Sequence, residues 1–312
     1  MTRIAAVIVT YNRADRLRWT LDRTFAESFD QVFVVNNAST DATTEVLAQF
    51  DDPRLTVLNL PENIGGAGGF AAGINAAENA DWLVLFDDDA WPAGGAINRL
   101  RAELETVLPD VAVLAADVRL PDGSASDMNR PIINPFWNLR DRALNALRHG
   151  RGGFTVAADT ARDIDAATFV GYALRGSVAR KMPKPEAGLF LYSDDILYSL
   201  ALRKAGWRIR TLPQMQFIHD CETLAAGDVY RPLWKNHYTI RNGVEVARVA
   251  AGWMSPAALA YLLLVWTKRG LRLRGGERRA YFAIFARAFW HGLRRKRGRF
   301  DPLHLAQSRS SD

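Results

Sequence analysis

Three consecutive carboxylates, Asp87, Asp88 and Asp89, stand at the end of the apolar run Trp82–Phe86. Adjacent carboxylates repel, so a positive partner is the natural reason to keep three together. Alternate residues of an extended chain point the same way. Asp87 and Asp89 are therefore expected to share one ion while Asp88 points elsewhere. A hard divalent cation takes oxygen ligands, and Mg2+ often also holds substrate phosphates. A bare D-x-D is weak, and the plain alternative is a solvated acidic turn. A second acidic pair, Asp194-Asp195, opens a segment with helical periodicity. It reads as an N-cap with a dipole-favoured acid, or as a general base. His219 ends a strand-like segment. Alone it reads as a core histidine; beside a cation short of ligands it becomes a third ligand, because imidazole suits Mn2+-like ions. The glycine-rich "NIGGAGG" (63–69) lacks the Gly-Lys-Ser/Thr ending of a P-loop, and it departs from G-x-G-x-x-G after a first strand. Close backbone approach to a ligand and tight helix packing remain equal readings of it.

The elements that must position these groups alternate. Apolar runs at 4–9, 31–39, 55–60 and 82–89 read as buried strands, with helices at 14–28, 40–50 and within 62–80. Strands that are apolar throughout, separated by helices, predict an α/β fold, a mostly parallel sheet covered on both faces. Ligands in such sheets gather at the carboxyl ends of strands. Thr10-Tyr11-Asn12-Arg13, Asn36-Asn37 and Asp87-Asp88-Asp89 all sit there and are expected to open onto one crevice. Residues 121–165 have weak periodicity and read as loops with a short helix. A strand and helix resume at 164–182, a helix at 189–207 and a strand at 208–220.

The 312 residues are 48% hydrophobic, enough for a sizeable core. Cys221 is the single cysteine, which excludes an internal disulfide and fits a reducing compartment. The start, "MTRIAAVIVTYNR", does not read as a signal peptide, and the best apolar stretch, 253–266, reads as too short to span a bilayer. The net charge of +6 is uneven: residues 223–312 hold 17 Lys plus Arg against 5 Asp plus Glu, so residues 1–222 carry −6. The division suggests a catalytic domain over 1–222 and a basic helical region over 223–312. Residues 267–299 hold 12 Lys plus Arg and one acid, interleaved with Leu271, Leu273, Tyr281, Phe282, Phe285, Phe289, Trp290 and Leu293. That is the pattern of a helix lying in a membrane interface. The alternative is an apolar face packed on the catalytic domain with its charges solvated. No motif supports nucleic-acid binding.

"VIVTYNR", "VVNNASTD", "ENIGGAGGFAAGIN" and "WLVLFDDDA", in this order and spacing, resemble the family 2 inverting glycosyltransferases of GT-A fold, nearest the bacterial galactofuranosyltransferases. The resemblance covers about residues 1–245. It implies a Rossmann-like sheet and transfer of a sugar, best galactofuranose from UDP-galactofuranose, onto a lipid-linked or cell-surface glycan. It implies donor contacts at Thr10, Tyr11, Arg13, Asn37, Asn63, Gly69 and Asp88. It also implies Mn2+ or Mg2+ on Asp87, Asp89 and His219, and Asp195 as the base. "WKNHYTIRN" (234–242) resembles an aromatic and basic segment that follows the metal histidine. With a lipid-linked acceptor, the expected place is the cytoplasmic face of the plasma membrane. One departure stands out: the second strand ends in Asn36-Asn37 where the family commonly has an aspartate pair. A TDP-dependent rhamnosyltransferase and a non-catalytic sugar-nucleotide-binding protein are the competing readings.

Overall fold

The structure, a computed structural model, describes residues 2–134, 136–137, 155–221 and 229–300. The first half runs β1 (Ile4–Thr10), α1 (Ala14–Phe25), β2 (Gln31–Asn36), α2 (Thr43–Leu47), β3 (Leu55–Asn59), α3 (Gly65–Ala76), β4 (Trp82–Asp87), β5 (Ala90–Pro92), α4 (Ala96–Glu103) and β6 (Val111–Arg119). Then come β7 (Asp163–Ile164), β8 (Tyr172–Arg175), α5 (Gly176–Lys181), α6 (Asp194–Lys204) and β9 (Arg208–His219). One nine-stranded sheet collects them in the order β3-β2-β1-β4-β8-β6-β9-β5, with β7 on β9. β1 pairs in parallel with β2 and with β4. β8 runs antiparallel to both its neighbours. The expected mostly parallel α/β sheet is present, and β1 lies at the point where the chain turns from one side of the sheet to the other.

Both faces are covered because the strands are apolar on both. Ile4, Ala6 and Ile8 of β1 face a core shared with Leu17 and Leu21 of α1 and Ile97 of α4. Ala5, Val7 and Val9 face the opposite core, with Phe70 and Ile74 of α3 and Tyr198 of α6. β6, a nine-residue strand, lies between β8 and β9. Within 121–165, expected to hold loops and a short helix, the described residues contain a 3-10 turn at Asp127–Asn129, and residues 135 and 138–154 lie outside the described ones.

The C-terminal region is helical: α7 (Lys235–Ala251), α8 (Ser255–Arg272) and α9 (Gly275–Leu293). Ile240 and Val244 of α7, Trp266 of α8 and Tyr281 and Ala288 of α9 form their common core. Phe282, Phe285, Phe289 and Leu273 pack against it. Most of the aromatics in 267–299 that suggested a membrane face are therefore spent on helix packing. Of that set, Leu271, Trp290 and Leu293 stay exposed. The unpartnered apolar face lies elsewhere, on α8. There Tyr261 (63% exposed), Leu264 (63%) and Leu271 follow one another at helical spacing, and Trp253 (87%), in the 3-10 turn just before the helix, extends the row. The segment Lys235–Arg272 is, among the described residues, long and apolar enough to cross a membrane by length and composition. This exceeds the sequence expectation for 253–266. The helix is interrupted at Gly252 (φ 55°, ψ −122°), where α7 turns into α8.

Candidate active site

Backbone register builds the acidic centre. β1 sets Val9 opposite Asp87, so the chain leaves β4 beside the Thr10–Arg13 turn. β5 then pairs antiparallel with the end of β9 and puts Ala90 opposite His219. The Asp220 N–H donates to the Asp89 carbonyl at 2.9 Å. A histidine 130 residues along the chain is thereby delivered next to the aspartates. The register of β6 with β9 jumps between Ala116↔Leu212 and Asp117↔Gln216, a bulge that holds Pro213 where it has no ladder bond to give.

Ligand atoms of Asp87, Asp89 and His219 all lie within 4.8 Å of one another. His219 Nε2 is 3.2 Å from Asp89 Oδ1. The other ring nitrogen, Nδ1, faces Asn129 Oδ1 at 2.8 Å. An amide oxygen only accepts, so Nδ1 carries a proton, and Nε2 is the nitrogen left to face the acidic centre: it donates to Asp89 Oδ1 when protonated and would offer its lone pair to a bound cation. Asn129 is itself fixed by Ser126 Oγ at 2.6 Å and Thr168 Oγ1 at 2.8 Å.

Asp88 turns away, although it lies in the turn that follows β4 and not in the strand whose alternation predicted this. Tyr11 N–H approaches its carboxylate at 3.4 Å, and its carbonyl accepts from Thr20 Oγ1 at 2.7 Å. Burial, then the Asp89 charge, push Asp88 up to about 7 against the pull of Thr10, Arg13 and Tyr11 N–H. Burial also drives Asp87 well above the usual carboxylate range, helped by Asp89, Asp88, Asp194 and Asp195 in that order. Asp89 differs: burial works upward, but the His219 hydrogen bond and the charges of His219, Arg13 and Arg16 leave it lowered. The centre thus has more negative charge than its cations balance, which is the condition a bound cation relieves. Two carboxylates plus one imidazole fit an ion of the Mn2+ class.

The second acidic pair faces the first. Asp194 and Asp195 open α6, but the N-cap is Ser193, in a left-handed conformation and without a side-chain cap bond. Neither aspartate is the cap. Asp194 is buried and Asp195 half-buried. Burial pushes both upward, Asp195 to about 6, where the N–H groups of Ile196 and Phe169 hold it back. Three residues in the approach, Phe190, Tyr192 and Ser193, have φ of 65°, 65° and 64°. Non-glycine residues held there cost on the order of 1 kcal/mol each. Such strain survives only where neighbours fix it.

The glycine-rich turn resolves into two uses. A Cβ on Gly65 (φ +77°) would lie 2.0 Å from the Phe190 carbonyl oxygen, so this glycine allows backbone to meet backbone. Gly69 and Gly73 instead press against Val9 and Val7 of β1. Gly69, expected at the donor, is a buried packing position. Asn37 is also committed to the turn: its Nδ2 donates to Gly65 O at 3.0 Å and its Oδ1 accepts from Ile64 N at 3.0 Å. Asn63 Oδ1 accepts from Gly65 N at 2.8 Å. Tyr11 is 40% exposed, and Arg13 and Asn63 are half-buried. A cleft of about 770 Å³ is lined by Arg13, Arg16, Trp19, Asp89, Trp91 and Asp220, among others.

The family model for glycosyl transferase family 2 matches residues 5–161. The chain belongs to this family. It is 26% identical over 239 residues to galactofuranosyltransferase GlfT1 of Mycolicibacterium smegmatis, covering 74% of each chain. To the GlfT1 of Mycobacterium tuberculosis it is 27% identical over 237 residues, covering 74% of this chain and 73% of the other. Among solved structures it resembles S. aureus TarS 1–349 (TM-score 0.58, 14% identity, 93% of this chain and 81% of that one). It also resembles the mannosyltransferase PcManGT of Pyrobaculum calidifontis, solved with GDP-Man and Mn2+ (TM-score 0.55, 20% identity, 94% of this chain and 88% of that one). The glycosyltransferase thus has the GT-A fold, with its C-terminal helices added.

Asn129, Tyr192 and Tyr230, to which the sequence did not point, also reach the site of this glycosyltransferase, as does Lys235 of the basic and aromatic segment 234–242. Asn129 comes from a stretch with no periodicity. Lys235, at the start of α7, lies near enough to Arg13 and Asp89 to feel both charges, and burial lowers it. Tyr192 and Tyr230 stack at 4.7 Å between the two acidic pairs, Tyr192 sensing Asp87 and Tyr230 sensing Asp195.

Proposed function

We propose that the chain is an inverting, metal-dependent glycosyltransferase that moves galactofuranose from UDP-galactofuranose to a lipid-linked or cell-surface glycan. The observation that carries this reading is the convergence of Asp87, Asp89 and His219 from β4, the following turn and β9. These residues would hold Mn2+ or Mg2+, which when bound supplies positive charge against the donor diphosphate. The chain's own residues do the rest. Arg13 and Lys235 add cationic charge beside the diphosphate. Tyr11 and Asn63 border the nucleoside, and Asn37, through its two bonds to the turn, shapes that wall. Asp195 takes the proton from an acceptor hydroxyl as its oxygen bonds to the anomeric carbon. The bond from that carbon to the diphosphate oxygen breaks on the opposite face, and UDP leaves with the electron pair. The more buried Asp194 keeps the pair from ionising together. Identity to two galactofuranosyltransferases supports the sugar. The test is a donor panel scored by nucleotide release, with UDP-galactofuranose, UDP-galactopyranose, UDP-GlcNAc and TDP-rhamnose. Fastest release from UDP-galactofuranose is expected. Preference for TDP-rhamnose would reassign the donor, a change that the Asn36-Asn37 strand end makes worth testing. No release from any donor would favour a binding protein.

Asn129→Ala should weaken Mn2+ binding in the presence of UDP by about 10–100-fold, the usual cost of losing a partner behind a metal histidine. Calorimetric titration of Mn2+ reads it, and an unchanged affinity would contradict the assignment.

The catalytic region is taken as 1–222 and the helical region as 223–312, with the α8 face resting on the cytoplasmic leaflet of a membrane. The apolar row Trp253, Tyr261, Leu264, Leu271 and the exposed Lys268, Arg274 and Arg279 support this. α7 does not read as part of a span, because its Asn236, His237, Arg241 and Asn242 are buried within the protein. Each cation near an anionic surface contributes about 1 kcal/mol. The chain should float with phosphatidylglycerol vesicles, and Tyr261→Glu/Leu264→Glu should stay at the bottom of the gradient. A parent chain that does not float but elutes as a dimer would assign this face to self-association.

A further inference from the structure

A polar cluster on α7 that the reaction does not use reaches the approach to the base. Asn242 is fully buried. Its Nδ2 donates to the carbonyls of Tyr192 at 2.8 Å and Leu191 at 2.9 Å, and lies 3.2 Å from that of Leu189. Its Oδ1 accepts from Arg241 Nε at 2.9 Å, so the amide cannot turn over without losing contacts at both ends. Arg241, 1% exposed, donates through Nη1 to Gly298 O at 2.7 Å and through Nη2 to Leu189 O and Gly188 O. The Tyr238 ring lies 5.0 Å from its guanidinium carbon, and Phe190 stacks on Tyr238 at 5.1 Å.

The segment held this way is Leu189–Ser193, with its three left-handed residues. Such a conformation relaxes unless its carbonyls are pinned. The segment touches both halves of the site. It runs directly into Asp194 and Asp195, and its Phe190 carbonyl accepts from Ala67 N at 3.3 Å against the Gly65 turn.

We propose that Asn242, oriented by Arg241, is a positioning residue for the transfer: it pins the Leu189–Ser193 segment and so aims Asp195 at the acceptor hydroxyl. The inference rests on the reading of Asp195 as the base. It makes the helical region part of the catalytic apparatus, because the residue that sets the base lies on α7.

The test is a double-mutant cycle of Asn242→Ala with Asp195→Asn. It uses the full chain, Mn2+ and the nucleotide sugar turned over fastest in the donor panel. Asn242→Ala alone should lower kcat by at least about tenfold with donor KM changed less than about threefold. In the Asp195→Asn background it should lower the residual rate by less than about twofold, because the group it aims is gone. Losses that multiply, or an Asn242→Ala enzyme within about threefold of the parent kcat, would overturn the inference. Near-normal turnover by Asp195→Asn alone would instead remove the base assignment. If Asn242→Ala does not fold, Asn242→Ser, which keeps one donor, enters the same cycle. A chain that folds with neither would show Asn242 to hold the whole fold rather than this segment, and would also overturn the inference.

Discussion

Asp195→Asn is expected to lower turnover by about 10²–10⁴-fold, the usual cost of losing a general base. That corresponds to about 2.7–5.5 kcal/mol of barrier. The substitution preserves shape and the bond from Ile196 N–H to Oδ1 at 2.7 Å, but the amide oxygen is a poor proton acceptor. Binding of UDP with Mn2+ should stay within about twofold, because Asp195 lies outside the metal triad. The pH profile gives an independent check. A base works ionised, and burial raises Asp195 to about 6. The parent rate should therefore climb as pH rises through about 6 and then level off. A bound cation adds positive charge and moves the climb lower. The rising limb should vanish in Asp195→Asn. Near-normal turnover, or an unchanged limb in the variant, would place the base elsewhere.

Asp89→Ala is expected to abolish the metal dependence of donor binding. Losing a direct ligand should exceed the about 10–100-fold cost of losing a supporting residue. Asp89 is the pivot of the centre: it meets His219 Nε2 at 3.2 Å, and its backbone carbonyl holds Asp220. UDP titrated into the variant should give the same small heats with and without Mn2+, whereas the parent should bind far more tightly with the ion. Retained Mn2+ enhancement in Asp89→Ala would show that the ion is held by other groups.

The sheet was legible because its strands are apolar on both faces, and the period-free runs at 4–9, 31–36 and 82–86 have no other stable place. The polar strand ends were legible for the same reason: polar residues at the close of a buried strand must leave the core. Asp87 and Asp89 do come together with Asp88 turned back to Tyr11, but β4 ends at Asp87 and the next two residues form the turn into β5, so the grouping expected from strand alternation is produced by a turn instead. What joins His219 to them is a pairing between a three-residue strand and the end of β9. Local pattern carries little information about such a long-range register. Asn129 was invisible because one side-chain bond to His219 is its only qualification. The glycines were ambiguous because Gly65 and Gly69 have the same sequence signature and opposite uses, one against the Phe190 carbonyl and one under Val9. In the tail, basic and aromatic interleaving described two helices at once. α9 packs Tyr281, Phe282, Phe285 and Phe289 inward with Trp266, and α8 leaves Tyr261 and Leu264 outside. The buried Asn236, His237, Arg241 and Asn242 tie α7 to the catalytic region, and this was not legible because Asn, His and Arg in a helical segment ordinarily read as its solvated face.

Pulsed electron paramagnetic resonance of Mn2+ bound with UDP addresses the metal centre most directly. One nitrogen coupling of imidazole origin should be present in the parent chain and absent in His219→Ala, with the ion still detectable through the nucleotide. A bound Mn2+ with no nitrogen coupling in the parent would contradict a centre built from Asp87, Asp89 and His219.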